Sequence, residues 1–158
     1  MLGRESDTNA QVRTRGFHAI LDAEPSLRRV AAQSANWSQS EAFQKTETML
    51  QAHSEIHGII AGNDTMALGA VAAVKSSGRA GIIITGFDGS PDAVAAIRSG
   101  SLRATSLQPA VYIARLAVEE ADRFLHSNST GKPERQIIPC DLVTKQNADL
   151  YGDFEKLR

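Results

Sequence analysis

The stretch IIITGFDGSPDAV, residues 82–94, runs through apolar residues to Gly86, sets Asp88 directly after Phe87, and then presents Ser-Pro-Asp ahead of a second apolar segment. The apolar run reads as a buried central strand. After it the helix-start signals coincide: Ser90 as N-cap, Pro91 at the first helical position, Asp92 in the first turn, and Gly100 as terminator. Strand, glycine turn and capped helix together form part of a βαβ unit. They leave Asp88 at the carboxyl edge of a sheet, where a carboxylate needs a partner.

Working outward, the apolar pattern switches repeatedly between short β-like runs and longer segments of helical period, which predicts an α/β fold with an open, mostly parallel sheet flanked by helices. The strand candidates are residues 27–33, 56–62, 80–87, 102–108 and 135–144. Helices are expected from Thr8 to Leu21, capped by Asp7 or Thr8, and from Gln39 to His53, where Ala42, Phe43, Met49 and Leu50 share a face. Others are expected from Thr65 to Ser76, after Ser90, and from Pro109 to His126. The segment HSNSTGKPE, 126–134, reads as a surface loop, followed by one strand and a polar tail. Only Met1–Gly3 precedes the first helix, where a βαβ pattern expects a full strand.

A chain of 158 residues, 42% hydrophobic and 22% charged, is the size of one domain with a real core. No apolar run approaches the roughly 20 residues of a membrane span. A net charge of −1, with Lys and Arg scattered, gives no field for a phosphate backbone, so no nucleic-acid partner is expected. The single cysteine, Cys140, excludes an internal disulfide and reads as a small buried hydrophobe in a strand. The start, MLGRESDTNA, has neither the basic nor the apolar region of a secretory signal, so the chain as written is expected in the cytoplasm.

Ligands of open parallel sheets bind outside the carboxyl ends of the strands. The residues expected there are Trp37, Asn63, Asp88 and Gln108, with Arg13 in the first helix. One cation, one aromatic, two amides and one carboxylate suit a neutral polyhydroxylated ligand. A carboxylate accepts from adjacent hydroxyls, amides donate and accept, a guanidinium donates in a fixed fork, and an indole offers a flat face to C–H groups. Each has a plainer reading as well: Asn63 as a helix cap, Trp37 as a core or edge aromatic, Asp88 as an Asx turn, Arg13 as a surface ion-pair partner and Gln108 as a strand-end polar residue. No nucleophile has a base beside it in the pattern. His18, His53, His57 and His126 are not at metal-ligand spacing, so neither catalysis, a metal nor a cofactor is expected.

The segments IIAGNDTMALGAVAAVKSSGR, ITGFDGSPDAVAAIRSG and LRATSLQP, with AQVRTRGFHAIL near the start and CDLVTKQNAD near the end, resemble the ribose-binding-like group of type I periplasmic sugar-binding proteins of ABC importers. The resemblance covers roughly residues 6–149. It implies a ligand held between two α/β lobes, with Arg13, Trp37, Asn63, Asp88 and Gln108 supplied by the second lobe. It further implies a monosaccharide or polyol ligand, an ABC permease as partner and an extracytoplasmic location for the full receptor. Such receptors are about twice this length, so residues 1–158 are expected to form a single, incomplete C-terminal lobe. The helix and loop at 109–134 would then pack on the absent first lobe, and the helix at 110–126 would otherwise expose an apolar face favouring homo-oligomers. The alternatives are an effector-binding domain resembling that of lactose-repressor-like regulators, although no helix-turn-helix segment is present, and a fragment that self-associates without ligand.

Overall fold

The structure is a computed structural model that describes residues 1–157. It places β1 (Gly58–Ile60), β2 (Ile83–Asp88), β3 (Ala104–Leu107) and β4 (Asp141–Thr144) side by side in that order. The first three run parallel, Gly58 opposite Ile83 and Thr85 opposite Ala104, and β4 closes the far edge antiparallel, Ala104 opposite Thr144. The helices are α1 (Thr8–Leu21), α2 (Gln39–Ala52), α3 (Asp64–Ser76), α4 (Pro91–Ser99) and α5 (Ala110–Ser127). The mostly parallel α/β sheet expected from the pattern is therefore present.

The helix starts follow local chemistry. Asp7 Oδ1 accepts the Asn9 N–H at the head of α1, Ser38 accepts the Glu41 N–H for α2, and Ser90 accepts the Ala93 N–H for α4. Gly100 ends α4 at φ 83°, a left-handed conformation that a side chain disfavours. Packing then sorts the faces. Ala67, Ala70 and Val74 of α3 join Ile84 of β2, Val94 and Ile97 of α4 and Leu107 of β3 in one buried cluster. The α2–α3 crossing is close enough that a Cβ on Gly69 would collide with the Gln39 carbonyl.

Several expectations need correcting. Residues 27–33 form no strand: among the described residues Met1–Gly3 lies beside this segment and contributes a single parallel bridge, Leu2 to Ser34. Within the expected 56–62, β1 spans three residues, Gly58–Ile60, paired with Ile83–Thr85 of β2. Only Asp141–Thr144 of 135–144 pairs with β3, so Cys140 lies just outside the ladder and is exposed, not buried. The helix expected over 65–76 starts one residue earlier, at Asp64, with Asn63 as its cap. The tail is folded: a 3-10 turn at Ala148–Leu150 leads into a hairpin, β5 (Tyr151–Gly152) with β6 (Glu155–Lys156), and Ala148 and Tyr151 are buried.

The helix α5 buries none of its residues. Val111, Tyr112, Ile113, Val118, Phe124 and Leu125 are all exposed, Leu125 to 82%. Nothing among the described residues covers that apolar face.

Candidate functional site

At the carboxyl end of β2 the backbone carries Asp88 in a sparsely populated conformation, φ 116°. Such strain persists only where neighbours hold it, and here they do. One carboxylate oxygen, Oδ1, accepts from Arg13 Nη2 at 2.8 Å and from Gln108 Nε2 at 3.2 Å, while the Asp88 carbonyl accepts the Gln108 N–H at 3.1 Å. The other oxygen, Oδ2, takes no hydrogen bond among the described residues. Residues from α1, β2 and the end of β3 thus converge on a single carboxylate.

Arg13 is the centre of a second set of contacts. Its side chain is only 13% exposed; Nη1 donates to the Gly62 carbonyl at 2.7 Å, and the guanidinium lies 4.0 Å from the Phe87 ring centre and 5.5 Å from that of Trp37. A cation held between aromatic faces and paired with a carboxylate is a built arrangement, unlike an exposed surface pair, which contributes little. Trp37 is half-buried and adopts φ 67° beside Asn36 at φ 51°. Positive φ is a genuine outlier for a bulky aromatic. Its indole Nε1 donates to Asp7 Oδ2 at 3.1 Å, so the carboxylate that caps α1 also anchors the ring.

Asn63, 9% exposed, does cap α3: Oδ1 accepts the Met66 N–H at 2.9 Å. This use spends only the oxygen. The amide nitrogen, with two hydrogens, donates to nothing among the described residues, and neither does Gln108 Oε1 accept. The cap reading and the ligand reading of Asn63 are therefore compatible. The edge offers an acceptor at Asp88 Oδ2, a donor at Asn63 Nδ2 and a second acceptor at Gln108 Oε1, beside the Arg13 fork and the Trp37 ring. The structure brings together Arg13, Asp88 and Gln108 by direct bonds and Trp37 through Arg13, with Asn63 next in sequence to the Gly62 carbonyl that Arg13 holds.

Electrostatics separate the two carboxylates of this region. Burial pushes the Asp88 carboxyl above its ordinary range, against the pull of Arg13 and Gln108. Asp64, 1% exposed, is raised by burial too, opposed by bonds from Thr105 and Ser90. Asp64 Oδ1 accepts the Thr105 hydroxyl at 2.6 Å, Oδ2 accepts the Ser90 N–H at 2.7 Å, and Thr105 Oγ1 accepts the Gly89 N–H at 3.2 Å. The loop leaving Asp88 is thereby fastened on both following residues. The Gly86 position is needed for this: a Cβ there would collide with Asp64 Oδ1.

Three participants lay outside the expected set. Phe87 stood in the opening stretch as a strand aromatic, and only the turn of the backbone at Asp88 reveals which cation it faces. Asp64, the residue after Asn63, carries no local signal of its bonds to Ser90 and Thr105. Asp7 was read as a cap, which it is, with no sequence signal for its second bond to Trp37.

The comparisons with known proteins agree with this architecture. A model described as periplasmic binding protein domain matches residues 1–129. The chain belongs to that family. Among curated relatives, the D-apiose import binding protein of Paraburkholderia graminis is 52% identical over 154 residues, covering 98% of this chain and 49% of that protein. The ribose import binding protein of Bacillus subtilis is 42% identical over 127 residues, 80% of this chain and 39% of that one. Among solved structures, an ABC transporter periplasmic solute-binding protein from Actinobacillus succinogenes with bound D-allose superposes with a TM-score of 0.91 at 31% identity, over 95% of this chain and 53% of the other. The chain spans about half the length of the relatives it matches, as the resemblance to the ribose-binding-like group implied. Relatives in this periplasmic binding protein family are sugar-binding transport proteins rather than enzymes. Among the described residues no helix is long and apolar enough to cross a membrane.

Proposed function

We propose that this chain is one lobe of the solute-binding protein of an ABC importer and binds a monosaccharide or polyol through Arg13, Trp37, Asn63, Asp88 and Gln108. The observation that carries the reading is the cluster on Asp88: two donors converge on Oδ1 and leave Oδ2 open at a strand end, and one of those donors, Arg13, lies against the rings of Phe87 and Trp37. Hydrogen-bonding groups that alternate donor and acceptor, set beside one flat apolar face, match a sugar's hydroxyls and its C–H side. The relatives at 52% and 50% identity are D-apiose import binding proteins, which puts D-apiose first in any panel, followed by D-ribose and xylitol. They favour the importer reading over that of a repressor's effector domain. The working partner is an ABC permease, on the extracytoplasmic side, and no catalytic step is assigned to the site.

Trp37 is the only tryptophan, and its indole stands 5.5 Å from the guanidinium that would meet the sugar. Titrating the sugar panel is expected to shift its fluorescence, weakly in the chain alone and strongly when the chain is joined to the complementary half of the Paraburkholderia graminis relative. A single lobe supplies half the contacts and cannot close around its ligand. Silence in both fluorescence and calorimetry, with the joined protein folded, removes the binding claim.

The uncovered face of α5 fits the same picture. We assign it, with the loop that follows to residue 134, as the docking surface for the other lobe. Without that lobe, the exposed Val118, Phe124 and Leu125 are expected to make copies associate reversibly. Sedimentation equilibrium should show a concentration-dependent mass that Val118→Glu together with Leu125→Glu returns to monomer; a monomer at all concentrations would contradict the assignment.

A further inference from the structure

Side-chain caps start α1 to α4: Ser38, Asn63 and Ser90 for α2, α3 and α4, and Asp7 for α1. Asp7 is the carboxylate among them. A cap needs one acceptor oxygen, and asparagine or serine serves as well as aspartate. What the carboxylate adds is a second oxygen free of hydrogens, and the structure uses both. Oδ1 accepts the Asn9 N–H at 2.7 Å, and Oδ2 accepts the Trp37 indole N–H at 3.1 Å.

The second bond ties the ring to the helix that carries Arg13. Arg13 lies about 9 Å along the axis from Asp7. Its guanidinium is 5.5 Å from the Trp37 ring centre, and its Nη1 donates to the Gly62 carbonyl at 2.7 Å. Gly62 in turn sits against the far end of the indole, where an added Cβ would lie 3.3 Å from Cζ3. Asp7, Arg13, Gly62 and Trp37 thus close a circuit of contacts that holds the indole at both ends. The backbone beneath the ring pulls the other way. Asn36 and Trp37 take successive left-handed conformations, φ 51° and 67°, which a bulky aromatic disfavours and which persist only where neighbours hold them. Asp7 is the neighbour that reaches the ring itself by a hydrogen bond.

We propose that Asp7 is a positioning residue of the sugar site: its Oδ2 fixes the Trp37 ring relative to Arg13, so that the flat face and the guanidinium fork meet one sugar at a set separation. The inference rests on the monosaccharide or polyol reading above and adds to it a residue that acts through Trp37. It also assigns the indole N–H to Asp7, which leaves the ring face as the part of Trp37 that meets a ligand.

Asp7→Asn and Asp7→Ser keep a capping oxygen for α1 and remove the second carboxylate oxygen, so Tm should stay within about 2 °C of wild type. In the joined two-lobe protein each is expected to raise the Kd for D-apiose, D-ribose or xylitol, whichever the wild type binds, by about 3- to 10-fold. Trp37→Phe keeps an aromatic face without the N–H, and in that background Asp7→Asn should change Kd by less than about twofold. Since Trp37 is the only tryptophan, its indole N–H resonance reports the bond in the chain alone. Hydrogen exchange there should quicken by about tenfold in both Asp7 variants. Variants that bind as tightly as wild type, unchanged indole exchange, or a loss that persists in the Trp37→Phe background overturn the inference and leave the sugar reading standing. A wild type silent to all three sugars overturns that reading, and this inference with it.

Discussion

Replacing Asp88 with asparagine is expected to weaken sugar binding by about 10- to 100-fold while leaving Tm within a degree or two, measured by calorimetry and thermal melts on the joined two-lobe protein. The size follows from what is lost. Hydrogen bonds to a charged group contribute about 1.5–3 kcal/mol each, and the open oxygen Oδ2 is the strongest acceptor at the strand end. The small effect on stability has its own reason: Asp88 sits at φ 116°, and asparagine is among the residues that tolerate positive φ best. Asparagine also keeps an oxygen for Arg13 and Gln108, though the guanidinium then loses its counter-charge. Alanine in the same place tests the other half of the argument. It would leave Arg13, 13% exposed and facing two aromatic rings, with no anion at all, so both affinity and Tm should fall.

The same site sets an acid limit on binding. The Asp88 carboxyl is raised above its ordinary range by burial, so the ionised form that accepts from hydroxyls is lost at a higher pH than an exposed aspartate, near 4, would lose it. In Asp88→Asn that acid limb should disappear.

How much of this was legible in the chain differs by element. The segment from Ile83 to Gly100 could be read almost residue by residue, because its signals are local: Ser90, Pro91 and Gly100 act on their own backbone, and the apolar run needs only to be buried. Residues 27–33 could not, since a strand exists only through its neighbour, and nothing in those seven residues tells how much chain lies beside them. Cys140 fails in the same way, falling one position short of a ladder whose end is set by β3. At the site, Asn63, Asp88 and Gln108 follow β1, β2 and β3 as the rule of sheet topology led one to expect, whereas Trp37, expected beyond a strand that does not form, and Arg13 of α1 join them through the Arg13 guanidinium. The residues that hold them were hidden. Asp64 bonds Thr105, 41 positions away, and Arg13 meets Asp88 across 75 positions, separations that no local pattern encodes.

Asp64→Ala is expected to be the most destabilising single change in this region, costing about 2–4 kcal/mol in chemical denaturation. The carboxylate is 1% exposed and serves two donors, the Ser90 N–H and the Thr105 hydroxyl. Removing it strands both, at about 1–3 kcal/mol for each buried unsatisfied group, partly offset by no longer burying a charge. Asp64→Asn should cost less, since its oxygen can accept from Ser90 while its amide donates to Thr105. Comparing wild type with this variant also isolates the charge. Burial raises the folded pKa of Asp64 above its unfolded value, so the folded state binds the proton more tightly. Stability from this group is therefore fullest below the unfolded pKa and is lost as pH rises through the folded one. The advantage of wild type over Asp64→Asn should thus be larger at about pH 4 than at about pH 7. The reverse trend would mean that the bonds from Thr105 and Ser90 outweigh burial, and that Asp64 holds the Asp88 loop as a well-satisfied anion rather than as a costly one.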